Sequence, residues 1–219
     1  KVRDPDTVWQ GGWSRMGGKY IKVGDEMVDS EVVIAHRRVA DNKDQTVKEH
    51  LLEVAGLASQ FAAKLGLSQA GELIGLLHDL GKYSYQFQQY IKNGLGDYDR
   101  DDDEYMDAKA QKGKIDHSTA GAQYLWQALH QQGAQSVAMA QALALCIVSH
   151  HSGLIDCLER NGTQSTLDRF SKRIKKPEEN AHLREVQSKM DQGIHDKAQA
   201  LLVDPLLLQG LSQAFKAIT

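Results

Sequence analysis

The chain has 219 residues, a formal net charge of −3, 41% hydrophobic and 25% charged residues, which is the balance of one large globular domain or of one domain with extensions. That charge excludes a protein that coats nucleic acid through a whole-surface basic field, so any such binding has to come from a local patch or from bound cations. Two cysteines, Cys146 and Cys157, exclude a disulfide framework and match no zinc-ribbon spacing; with no leader peptide legible and no apolar run of bilayer length, the expectation is a soluble chain in a reducing, cytoplasmic setting, away from membranes.

Residues 1–33 are rich in glycine and aromatics, with only a short alternating piece at 19–23, and read as an N-terminal extension of loop or hairpin. At Thr46 the signal becomes helical. "TVKE" has the form of a capping box, Thr46 as N-cap and Glu49 as its reciprocal partner, opening "VKEHLLEVAGLASQFAAKLG". Val47, Leu51, Val54, Ala58, Phe61 and Leu65 recur at three- and four-residue steps and are expected to face the core, with Gly66 closing the helix. His50 lies on the same stripe. A second helix is predicted after Ser68, running through "AGELIGLLHDL" to Gly81, and a third in "SYQFQQYIKNG".

Residues 94–114 are acidic and poor in aliphatics. They read as a solvated loop, without the glycine and terminal glutamate of an EF-hand. Helix returns in "STAGAQYLWQALHQQG" and in "SVAMAQALALCIVSHH", the latter nearly all apolar and therefore central. Beyond Gly153 the apolar pattern weakens. "RFSKRIKK", residues 169–176, is the basic cluster, either a track for a nucleic-acid backbone or a solvated helix face, and a polar helical stretch follows Pro177. No strand pattern competes, so the reading is all-α, with residues 34–219 forming one helical domain.

The residues that carry chemistry stand where these helices end or face inward: His50 in the first, His78 and Asp79 closing the second, His117 opening the fourth, His150 and His151 ending the fifth. Imidazoles with a carboxylate and no thiolate suit Mn²⁺, Fe²⁺, Co²⁺, Ni²⁺ or Zn²⁺. Neighbouring side chains on a helix point about 100° apart, so His78 and Asp79 reach a common ion only where the helix finishes, or Asp79 bridges two ions. Taken alone, His50 on an apolar stripe is an ordinary hydrogen-bonded core residue, and Lys82 complements a helix C-terminus. The ensemble is what points to metal. His36, in "IAHRRVAD", reads as near the site or on the surface.

The order His, His-Asp, His, His-His, with "HDLGK", "LGKYSYQFQQYI", "DHSTAGA" and "HHSGL", resembles the HD phosphohydrolase superfamily, and within it the HD nuclease domain of Cas3, the effector of type I CRISPR systems. The resemblance spans residues 34–155. It implies an HD-domain helical bundle in which His50, His78 and Asp79 hold a first divalent metal ion, and Asp79, His117, His150 and His151 a second. The ions would be Mn, Fe, Co or Ni, with Mg²⁺ also admissible. Asp79 and Lys82 would act in catalysis, the lysine as a positive group near the phosphate. It implies further a single-stranded DNA substrate, a Cas3-type helicase domain or subunit, and the CRISPR surveillance complex Cascade as partners. No G-x-x-x-x-G-K-[ST] phosphate loop occurs in the chain, so helicase action would come from elsewhere. The family also places an aspartate late in the chain on the first metal. No surrounding sequence here matches that late motif: Asp191 and Asp204 are the available carboxylates, or the domain is truncated short of the ligand. Two other functions stay open, an HD hydrolase of small nucleotides, which would enclose its substrate, and a catalytically weak docking module, which would carry little metal.

Overall fold

The structure, a computed structural model, describes residues 13–16, 19–22, 32–38, 40–96, 107–111, 114–131, 133–157 and 168–218. The chain divides into two compact units, Lys1–Val32 and Val33–Thr219. In the first, β1 (Trp13–Met16) and β2 (Lys19–Lys22) pair antiparallel, Trp13 opposite Lys22 and Met16 opposite Lys19. The rest of the N-terminal segment up to residue 31, and the acidic stretch 97–106 read above as a solvated loop, lie outside the described residues.

The second unit opens with β3 (Ile34–Arg37) and β4 (Asp44–Thr46), an antiparallel pair with an irregularity between Ile34 and His36. Sequence patterning shows no strand here because three or four residues are too few to register a period of two. Helices follow: α1 (Val47–Ala63), α2 (Ser68–Leu77), a 3₁₀ turn (Leu80–Tyr83), α3 (Tyr85–Leu95), α4 (Ala108–Gln111), α5 (Thr119–Leu129) and α6 (Ala134–Ser149). Beyond these come α7 (Arg169–Ile174), α8 (Glu178–Ala181), α9 (Leu183–Lys189), α10 (Gln192–Val203) and α11 (Pro205–Ile218). The fold is an all-α bundle of the HD type. None of the described helices is long and apolar enough to cross a membrane.

Local chemistry accounts for the starts and stops. The capping box at α1 forms, Glu49 N–H donating to Thr46 Oγ1 and the Glu49 carboxylate accepting from the Thr46 N–H. Residue α2 stops at is Leu77, four short of the predicted Gly81: His78 is its C-cap, and the backbone then tightens into the 3₁₀ turn. Leu51, Leu73, Leu76, Leu77, Leu125 and Ile147 fill the core from α1, α2, α5 and α6, with no exposure. Each such side chain stabilises the fold by roughly 1.5–3 kcal/mol.

Two glycines set how closely these helices approach. A Cβ at Gly75 would meet Ala55 Cα at 2.6 Å, and one at Gly121 would collide with the Leu77 carbonyl. α2 therefore lies backbone-close to α1 on one side and to α5 on the other. The predicted core stripe of α1 holds for only part of the helix: Val47, Leu51 and Ala55 are buried, but Phe61 is 67% and Leu65 74% exposed. The second half of α1 meets α2 instead through small residues, since a Cβ at Gly71 would lie 2.4 Å from the Ala58 carbonyl and 2.6 Å from Ala62 Cβ. That close seam leaves Phe61 and Leu65 on the outer side.

Candidate metal centre

The end of α2 is where the chemistry gathers. His78 keeps helical backbone angles and Asp79 departs from them, with φ −114° and ψ 24°, so the two side chains leave the helix toward one space. Gly81 then passes against the residue that opens α5: its N–H donates to the His117 carbonyl at 3.0 Å, and a Cβ there would lie 2.5 Å from the same oxygen. Only glycine fits this contact, and it sets His117 beside the His-Asp pair. His50 enters from the first turn of α1, and His150 and His151 from the end of α6.

Asp79 is 3% exposed and presents its two oxygens to two groups of side chains. Around Oδ2 stand His50 Nε2 at 2.9 Å, His78 Nε2 at 3.2 Å and Lys82 Nζ at 2.9 Å. Around Oδ1 stand His150 Nε2 at 3.0 Å, His117 Nε2 at 3.5 Å and His151 Nε2 at 3.9 Å. The imidazoles also face one another, His50 and His78 at 3.2 Å between Nε2 atoms, His117 and His151 at 2.6 Å. The five histidines singled out as ligands in the sequence thus converge on the carboxylate of the sixth, Asp79.

The donor set fits divalent metal. Nδ1–H of His78 donates to the Gly75 carbonyl at 2.8 Å, that of His150 to Ile147 at 2.6 Å and that of His117 to Ile115 at 3.2 Å. Each bond fixes the ring and turns Nε2 inward as the free nitrogen, the arrangement by which proteins orient metal-binding histidines. At His150 both ring nitrogens face oxygens, a situation satisfied by an imidazolium or by a metal ion standing in the place of the Nε2 proton. Burial alone would lower its pKa, yet the Asp79 and Ile147 bonds raise it.

The remaining groups hold the forms that bind cations. Burial opposes ionisation of Asp79, but hydrogen bonds from His150, His50 and His78 outweigh it and keep the carboxyl well below its usual range. Burial brings His117 from 6.5 down to about 4, against the pull of Asp79. His151 is lowered by burial and by neighbouring His150. Lys82, 3% exposed, is lowered by burial while Asp79 pulls the other way. Its Nζ stands against Asp79 rather than in solvent.

Two residues not counted among the ligands in the sequence belong to this neighbourhood. His36, on β3, sets its Nε2 3.2 Å from Lys82 Nζ and its ring 4.6 Å from that of His50; with His50 and Asp79 it forms a second group whose ligand atoms lie within 4.8 Å of one another. Burial and then Lys82 lower its pKa to about 4. Nothing in the run "IAHRRVAD" distinguishes it, because its proximity depends on where β3 packs. Asp116, next to His117, turns away from the centre, accepting from the Thr119 hydroxyl at 2.6 Å, from Lys176 Nζ at 2.6 Å and from Arg173. Burial opposes its ionisation, but these partners hold the carboxyl far below the usual range. Gln123 adds bonds to the carbonyls of Arg173, Ile174 and Lys176. The basic segment is thereby strapped onto α5, and Phe170, its aromatic, is core.

The late carboxylates go elsewhere. Asp191 caps α10, accepting from the N–H groups of Gly193 and Ile194, and pairs with Lys48 at 3.1 Å. Asp204 accepts from the Leu206 N–H. Neither joins the ligand clusters found among the described residues.

A His-Asp pair at a helix end, ringed by histidines from neighbouring helices of an all-α bundle, defines the HD class of metal-dependent phosphohydrolases. The family model of the Cas3 HD domain matches residues 17–218, and the chain belongs to that family. This places it among CRISPR-associated HD hydrolases. A comparison with curated proteins gives no match.

Proposed function

We propose that this domain is a metal-dependent nuclease that hydrolyses single-stranded DNA phosphodiesters in type I CRISPR interference, working with a Cas3-type helicase and the Cascade complex. The observation that carries the reading is the charge balance at Asp79. Among the described residues one buried carboxylate shares its surroundings with one buried ammonium and a set of imidazoles, so its single negative charge cannot cancel the charge of divalent cations held there. Such a site attracts an anion, and a phosphodiester is the anion on which metal-assisted hydrolysis acts.

In this reading His50, His78 and Asp79 would hold one ion, with His36 at the same side, and Asp79, His117, His150 and His151 would hold the other. Divalent ions there supply the Lewis acidity that acidifies water and draws charge from a phosphate oxygen. The chain fixes the donors before substrate arrives: backbone carbonyls orient the three rings, and Gly81 seats His117. Lys82, 2.9 Å from Asp79 Oδ2, adds positive field beneath the phosphate. His151, with its side chain 60% exposed, marks the open face through which substrate reaches the centre. That openness favours a polymer over a small nucleotide enclosed on all sides.

The test is cleavage of single-stranded DNA by protein stripped with EDTA and resupplied singly with Mn²⁺, Co²⁺, Ni²⁺ or Mg²⁺. Cutting restored by metal in the wild type and absent in Asp79→Ala is the expected result. Metal uptake without cutting of DNA would overturn the nuclease reading in favour of a small-nucleotide hydrolase. A wild-type chain that takes up no ion would favour the docking module.

A further inference from the structure

The side chain of Gln88 makes bonds that α3 does not need for its own helix. Its Oε1 accepts from the Ile34 N–H at 3.0 Å, and its Nε2 donates to the Ile34 carbonyl at 3.0 Å and to the Lys82 carbonyl at 2.8 Å. Both amide hydrogens and the carbonyl oxygen are therefore used, all on backbone, and all on two segments that flank the centre. Ile34 begins β3, two residues before His36, and Lys82 lies in the 3₁₀ turn three residues after Asp79. The amide pairs with both polar groups of Ile34 as a neighbouring strand would, and ties that strand to the turn.

Through β3 this tie bears on one side of Asp79, and its other end is in the turn whose Gly81 meets His117. β3 and β4 are short strands, and their pairing is irregular between Ile34 and His36. A two-stranded pair of this size has little stability of its own, so its position depends on what holds it to the bundle. His36 lies 3.2 Å from Lys82 Nζ and its ring 4.6 Å from that of His50, on the Oδ2 side. His117, His150 and His151, on the Oδ1 side, come from α5 and α6 and owe nothing to β3.

We infer that Gln88 is a positioning residue for the Oδ2 half of the centre: it fixes the strand carrying His36 against the turn carrying Asp79 and Lys82, and so sets the affinity of that half for a divalent ion. This rests on the metal-binding reading above. It assigns Gln88 no contact with substrate or ion.

The experiment is Co²⁺ titration of the metal-free full chain, followed by visible absorption and calorimetry, on wild type, Gln88→Met, His36→Ala and the double variant. Methionine keeps the length and volume of the side chain and removes all its hydrogen bonds. Wild type is expected to take two ions, and Gln88→Met to weaken one of them by about tenfold to a hundredfold while the other keeps its affinity, the range typical of groups that orient metal ligands. If Gln88 acts through the strand of His36, the two substitutions will be less than additive. Equal weakening of both ions, or full additivity, would show a merely structural role and overturn the inference. Unchanged affinities in Gln88→Met would overturn it too, while leaving the metal reading intact; a wild type that binds no ion would remove both. Should the methionine variant not fold, Gln88→Glu replaces it, keeping the bond from Ile34 N–H and losing both donors, with the same expected selectivity.

Discussion

The two sides of Asp79 are built differently. On the Oδ2 side the His50 and His78 side chains are 14% and 12% exposed and a buried ammonium stands among them, with His36 exposed at its edge. The Oδ1 side is open, with His151 60% exposed and its imidazoles carried on helix ends rather than under a strand. A single carboxylate thus joins a sheltered set of donors that already contains a positive charge to an accessible set that contains none. The difference gives one carboxylate two kinds of surroundings, a buried cation on one side and the more exposed His151 on the other.

The comparison breaks entirely if the shared carboxylate goes. Asp79→Ala should remove ion binding on both sides and lower cleavage by more than about 1,000-fold, about 4 kcal/mol of transition-state stabilisation, read by metal analysis of the purified protein and by turnover. Asp116→Ala should cost about 3 kcal/mol in urea denaturation, because it leaves Arg173 and Lys176 without their buried partner. It should also weaken the Oδ1 side selectively, through His117.

Single ligands sharpen the contrast. His50→Ala, on the sheltered side, should lower metal affinity by about a hundredfold and His151→Ala, on the open side, by about tenfold, both measured by titration. The smallest effect is that of pH on the metal-free protein. His36 and His117 titrate near 4 in the fold against 6.5 for the free side chain, so between those values the unfolded chain binds more protons than the folded one. Stability contributed by these two groups is therefore lost as pH falls from 6.5 toward 4. His150, whose pKa is raised, contributes with the opposite sign, and its share is lost as pH rises. Thermal melts at pH 7 and pH 5 should show a lower midpoint at pH 5, and His117→Ala should narrow the gap.

Much of the centre is legible in the sequence because helix ends and apolar faces are local signals. "HDLGK" marks its own helix end, and His50 reveals itself by sitting on a buried stripe. His36 is only half legible, since a histidine in a four-residue strand carries no periodic mark and its place beside the centre depends on where β3 packs. Phe61 and Leu65 fail in the opposite sense. Their spacing declares an apolar stripe, but which helix face is covered depends on the small residues Ala58 and Ala62, across which Gly71 lets α2 come close. The basic segment 169–176 is equally ambiguous in sequence, and Asp116 claims two of its cations, Arg173 and Lys176.

The hydrogen bond from Gly81 to the His117 carbonyl has a consequence for how the protein comes into being. The donors around Asp79 are gathered over long stretches of chain, with His50 29 residues before it and His150 71 residues after. No contiguous fragment shorter than this span can assemble the centre, and closing such loops comes late in folding, once the helices that carry them have docked. A chain still emerging from the ribosome has the "HDLGK" turn long before it has α6. The group of side chains around Asp79 is therefore complete only once α6 has been made and docked.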